Sequence, residues 1–239
     1  MINQRSFLLD GQYSMIYYPE RPSGFAVMII GDRNHFVEEK TSFWLQHPGR
    51  NEIVTQLKSL GYMLFSSNFY GASWGSDRAA DLAKRLYHMV MKSEILNERF
   101  HILAEGTGAL TAMKVADLLK DQIRSVVFLN PCLSLQKKIQ KEKEQKFFYK
   151  KIINEISHAY GWNKQESAEF LRSPEAENLE ISVPLKIIHI LGNGAEDQSE
   201  LYKSIQNKSH LEIQFLLAEK RYKIAAQARS FFRKYETIL

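Results

Sequence analysis

Two glycine-rich turns hold most of the chemistry this chain could perform. Gly71-Ala72-Ser73-Trp74-Gly75 is a literal G-x-S-x-G between a strand-like and a helix-like stretch. A serine on such a sharp turn is a candidate acyl-transfer nucleophile. It is a weak one until a positioned base takes its proton. The seven histidines are His35, His47, His88, His101, His158, His189 and His210. His101 and His189 fall within strand patterns, His88 within a helical one and His210 at the entrance of the final strand, so each reads as structural. The second turn, Ala104-Glu105-Gly106-Thr107-Gly108, has only the Thr107 hydroxyl, and side-chain direction at a tight turn changes with each residue. The single cysteine, Cys132, excludes an internal disulfide and a cysteine-based zinc cluster. Without a demonstrable cationic neighbour it is expected to be buried and inert. No phosphate loop or metal-ligand spacing occurs, so no cofactor is expected.

The elements that must position these groups alternate between strand and helix. With 239 residues, 44% hydrophobic and 25% charged, the chain has the size of one large α/β domain, or of one domain carrying an insertion. Ser6–Leu9 and Tyr13–Tyr18 flank Asp10-Gly11, a hairpin signal. Phe25–Ile30, Tyr62–Ser66, Phe100–Leu103, Ser125–Leu129, Leu185–Leu191 and Leu211–Leu217 are short apolar runs of buried-strand type. Helical patterns lie between them: Ile53, Leu57 and Leu60; a helix capped by Ser76 or Asp77 with Leu82, Leu86, Met89 and Val90 on one face; Ala109, Ala112, Ala116 and Leu119; a helix around 199–206; and a final one through Ile224, Ala228, Phe231, Phe232 and Tyr235. Repeated βα units imply a mostly parallel sheet of about seven or eight strands flanked by helices.

Residues 132–182 break the rhythm with a lysine-rich helical pattern. Lys137, Lys138, Lys141, Lys143, Lys146, Lys150 and Lys151 face only Glu142 and Glu144, and they supply much of the net charge of +5. Such a run is the solvated face of a helix, or a weak contact for an anionic surface. No nucleic-acid motif accompanies it. No run approaches the roughly 20 apolar residues of a membrane helix. The first residues lack a secretory pattern, so a cytoplasmic protein is expected.

The layout resembles the α/β-hydrolase fold family of esterases, lipases and related serine hydrolases. Phe25–Gly31 is similar to that family's third strand, with Ile30 where a histidine usually stands. Leu60-Gly61-Tyr62 and Asn68–Ser76 resemble the stretch around its fourth strand, Leu103–Ala112 its nucleophile elbow, and Pro184–Asp197 the strand and loop that carry its acid. The resemblance implies a core of residues 1–131 and 183–239 and a helical cap or lid at 132–182. It places the nucleophile at Gly106, which has no side chain to attack with, and the acid at Glu196 or Asp197. The histidine belongs in the loop after the last strand, yet Ala218-Glu219-Lys220-Arg221-Tyr222 contains none. The oxyanion-hole framework falls on Gly31, the Asp32 N–H and the Thr107 N–H, with Glu105 beside it. Ser73 precedes the fifth strand and does not match the elbow. Two readings follow: a non-catalytic relative that binds a small ligand or a protein partner, or a hydrolase using Ser73.

Overall fold

A computed structural model describes residues 3–145, 148–173, 179–192, 198–207 and 210–236. Lys146, Glu196 and Asp197, singled out above, lie outside these described residues. The chain opens with the antiparallel hairpin β1 (Gln4–Leu9) and β2 (Gln12–Tyr17). Its turn residues Asp10 and Gly11 both have positive φ, 53° and 69°, the geometry that matches strand twist in a two-residue hairpin. Then follow β3 (Ala26–Ile30), α1 (Phe43–Gln46), α2 (Pro48–Ser59), β4 (Met63–Ser67), α3 (Asp77–Ser93), β5 (Phe100–Glu105), α4 (Gly108–Leu118) and β6 (Ile123–Leu129). After α5 (Leu135–Gln145), α6 (Tyr149–Tyr160) and α7 (Lys164–Arg172) come β7 (Leu179–Ile181), β8 (Leu185–Leu191), β9 (Ile205–Asn207), β10 (Leu211–Leu217) and α8 (Ile224–Phe232).

Eight strands form one sheet in the order β1-β2-β4-β3-β5-β6-β8-β10, parallel from β4 to β10. Such a sheet needs both faces covered. α3 and α4 cover one through Ala79, Leu82, Leu86, Ala109, Ala112 and Val115. α2 and α8 cover the other through Ile53, Leu57, Ala228, Phe231 and Phe232. Small residues on α4 let it sit close: a Cβ at Gly108 would come within 2.5 Å of the Ile30 and Gly31 carbonyl oxygens.

Three local expectations are corrected. Met89 is exposed, because the buried stripe of α3 runs through Leu82, Leu86 and Val90 and leaves it on the rim. The helix expected around 199–206 is a 3₁₀ turn, Ser199–Ser204, followed by β9. β9 pairs in parallel with β7, inside the segment whose pattern read as helical. Three-residue strands are too short to leave a periodic signature. Among the described residues no helix is long and apolar enough to cross a membrane.

Candidate functional site

The turn from β5 into α4 stands at the carboxyl ends of the parallel strands, mid-sheet, where open α/β sheets collect ligands. Gly106 is its apex, with φ 54°. The left-handed conformation that strains any residue with a Cβ is free for glycine here. The space a side chain would take is filled from another loop: a Cβ at Gly106 would fall within 2.7 Å of all three atoms of the Asp32 carboxyl group. That carboxylate accepts the Thr107 backbone N–H and the Thr107 hydroxyl, both at 2.8 Å to Oδ1. Asp32 was expected to offer its own N–H to an oxyanion; here its carboxyl group lies beside Gly106 and takes the Thr107 N–H. Gly31, Asp32, Gly106 and Thr107 are therefore brought together.

Glu105 lies beneath the turn, 7% exposed, and takes both guanidinium arms of Arg50 from α2, with Nε to Oε2 at 3.2 Å. Burial pushes the Glu105 carboxyl up and the Arg50 guanidinium pulls it back, while Asp32 nearby pushes it up again. Neither Arg50 nor the carboxylate role of Asp32 carries a sequence signal, because both depend on chain segments far from the turn. Cys132 is locked beside it. Its N–H donates to the Gly106 carbonyl at 2.9 Å. Burial pushes its thiol up to about 12, against the charge of Lys138. Gln198 fastens this strand end: it accepts the Leu133 and Ser134 N–H groups at 2.7 and 3.0 Å and donates to the Ser134 carbonyl at 3.0 Å. Gln198 escaped the sequence reading; its only signal is its place beside Asp197.

Two histidines flank the Gly106 turn: His47 lies close enough to Glu105 to hold its carboxyl down, and the His35 backbone N–H donates to the Asp32 carbonyl at 2.7 Å. His35 is buried beneath Gly31, with Nε2 3.0 Å from the Ser66 hydroxyl and 3.1 Å from the Ser67 carbonyl oxygen. Desolvation pulls it down to about 4. His101 meets Ser125 and Glu236 at the opposite end of β5. His189 meets the Tyr202 hydroxyl at 2.9 Å. The segment after β10 that should supply a base is a 3₁₀ turn, Ala218–Lys223, without histidine.

Ser73 meets the Thr111 hydroxyl of α4 at 3.2 Å. Its own φ is not positive, whereas Phe69, Tyr70, Gly71, Trp74 and Gly75 all are. This wound loop presents Trp74 to the helices after β6. Leu135, Ile139, Ile152 and Ile156 pack around the indole. The Tyr160 hydroxyl donates to the Trp74 carbonyl at 3.0 Å. Arg33 lies over the indole face, 5.6 Å from the ring centroid, and pairs with Glu155 of α6 at 3.0 Å. On the other side Gly75 abuts α4, where a Cβ would stand 2.5 Å from that of Leu110. The lysines divide: Lys138 is buried against Glu142 at 3.1 Å and Lys137 pairs with Glu200 at 2.7 Å, while Lys141, Lys150 and Lys151 face solvent. Surface clefts of about 580, 390 and 310 Å³ open elsewhere: between α2 and α8, beside the starts of β6 and β8, and between α3 and α4. Among the described residues no three His, Cys, Asp or Glu side chains gather as metal ligands.

No protein-family profile matches the sequence, and no curated protein is similar to it by sequence. Solved structures do match across the chain's whole length. Est1E from Butyrivibrio proteoclasticus superimposes with a TM-score of 0.68 at 11% identity, covering 98% of this chain and 99% of its own. An α/β serine hydrolase without a lid from Xanthomonas campestris gives 0.62 at 11% identity, over 100% and 98%. The chain has the α/β-hydrolase fold. Mouse α/β-hydrolase domain-containing protein 10 extends the likeness, with a TM-score of 0.58 at 10% identity over 98% and 99%. Glycine occupies the apex of the turn between β5 and α4.

Proposed function

We propose that the chain is a non-catalytic α/β-hydrolase-like protein that works as a binding or regulatory module for a small ligand or a protein partner. One observation carries this reading: the Asp32 carboxylate stands where the nucleophile's side chain would project and takes up the Thr107 N–H that would otherwise steady an oxyanion. Acyl transfer needs a nucleophile, a base to activate it and free donors for the developing negative charge. The sequence provides neither of the first two at its expected place, and the third is engaged by the protein's own anion. The helices after β6 act in this reading as a cap, held by Trp74 and by the Arg33–Glu155 pair.

The test is labelling of the purified protein with a fluorophosphonate probe for activated serines, beside Ser73→Ala. Wild type is expected to stay unlabelled while a control serine esterase reacts. Labelling of wild type that disappears in Ser73→Ala would overturn the proposal in favour of a hydrolase acting through Ser73.

A further inference from the structure

The C-terminal edge of the sheet exposes an apolar stripe that the fold leaves bare. Ile213, Phe215 and Leu217 of β10 and Leu191 of β8 are 41, 52, 55 and 41% exposed. Ile213, Phe215 and Leu217 are two residues apart and so share one face, and Leu217 is in register with Leu191. The opposite face of the same strands is covered by α8, through Ile188, Ile190, Leu216 and Phe231. On this side the described residues of the connection from β8 to β10 form the 3₁₀ turn Ser199–Ser204 and the short β9, and Phe215 rests against the His189 ring at 5.4 Å between centroids.

Among the described residues β10 ends the sheet, so no described strand pairs with its outer backbone. The Leu185 N–H donates to the His210 carbonyl, which fixes residue 210 as pointing toward β8. Strand alternation then turns the N–H and C=O groups of residues 211, 213, 215 and 217 outward. Edge strands are normally blunted by lysine, proline or a bulge. Leu211-Glu212-Ile213-Gln214-Phe215-Leu216-Leu217 has none of these. Its one charge, Glu212, is on the α8 side, bound to Lys186 at 3.1 Å and to Lys234. The other edge is different: on β1 the Gln4 and Ser6 side chains tie down the carbonyls of Lys40 and Glu39, and Arg5 pairs with Glu94.

We propose that the chain pairs with a second copy of itself, β10 against β10 in antiparallel register about a two-fold axis through Gln214. The strand is self-complementary in that register. Ile213 lies opposite the partner's Phe215 and Leu211 opposite the partner's Leu217, so outward-pointing residues exchange hydrogen bonds and apolar side chains meet on the bare face. Glu212 lies opposite the partner's Leu216, so no like charges face each other. Gln214 meets its own copy as a non-hydrogen-bonded pair, in which Cα atoms are about 4.5 Å apart.

That spacing gives a register-specific test, because a disulfide needs Cα atoms about 4.4–6.8 Å apart. The native Cys132, 6% exposed, does not compete. Sedimentation velocity from about 1 to 100 µM is expected to show twice the 27.8 kDa protomer mass for wild type. Gln214→Cys is expected to oxidise to a covalent dimer and Phe215→Cys to remain mostly uncrosslinked. Phe215→Lys, with an unchanged circular dichroism spectrum, is expected to be a monomer, and Leu8→Lys on the far edge to remain a dimer. A wild type that stays monomeric throughout overturns the proposal. So does a dimer in which Gln214→Cys fails to cross-link, and that variant keeps the test valid should Phe215→Lys misfold.

Discussion

Gly106→Ser, the change that would formally restore a nucleophile, should instead damage the protein. A serine Cβ at φ 54° carries the left-handed penalty, about 1–2 kcal/mol for an L-residue. It also lands within 2.7 Å of the Asp32 carboxyl atoms, so that carboxylate must leave. Its two hydrogen bonds from Thr107 go with it. Both fall on the single acceptor Oδ1 and are counted together as one bond to a charged group, about 1.5–3 kcal/mol, which brings the total to about 2.5–5 kcal/mol. For a domain this size the melting midpoint should fall by about 5–20 °C. Asp32→Ala alone loses the same bonds and should cost about 1.5–3 kcal/mol. The double variant loses them only once, so the two changes should be coupled by about that amount. Urea unfolding followed by the fluorescence of the three tryptophans measures all four corners of the cycle. Additivity within about 0.5 kcal/mol would refute the idea that Asp32 occupies the serine's space.

Cys132, its thiol pushed up to about 12 by burial, should stay protonated at pH 8 and unreactive toward Ellman's reagent until denaturant is added; rapid stoichiometric reaction of the native protein would contradict this. His35 should make the protein acid-sensitive. Its folded value of about 4 lies below the ordinary 6.5, so the unfolded chain takes up the proton first and stability is lost as pH falls from 6.5 towards 4. The loss should reach about 3 kcal/mol, and His35→Gln should flatten the stability profile across that interval. Gly75→Ala, meeting Leu110 at 2.5 Å with φ 76°, should be far more destabilising than Gly71→Ala, which has φ 77° but nothing within 4 Å; equal melting points would show that the approach to α4 is not tight.

The strands were legible because buried parallel strands are continuous apolar runs: Leu185–Leu191 and Leu211–Leu217 are bounded in the structure as the sequence suggests. The glycine of this turn was legible too, through the resemblance to the α/β-hydrolase elbow pattern that places it between Ala104 and Gly108. What fills the turn was not. Asp32 is seventy-odd residues away from Thr107 and, through the resemblance, was expected for its backbone N–H and not its carboxyl group; only the parallel placement of β3 beside β5 brings that carboxylate to the Thr107 N–H. Arg50 reaches Glu105 from α2 for the same reason, and its charge gives no hint of its address. The G-x-S-x-G pattern shows the reverse case: a local signal whose glycines are explained by the loop's left-handed path and by its contact with α4.

That loop also sets how force can travel through the molecule. Trp74 carries α5 and α6 on its ring and carbonyl, and its next neighbour, Gly75, bears directly on Leu110 in the first turn of α4. The backbone here is already wound into left-handed conformations, which leaves it little room to yield. The loop therefore joins α5 and α6 to the first turn of α4 through two adjacent residues, Trp74 and Gly75, so a change of packing on one side is felt directly on the other.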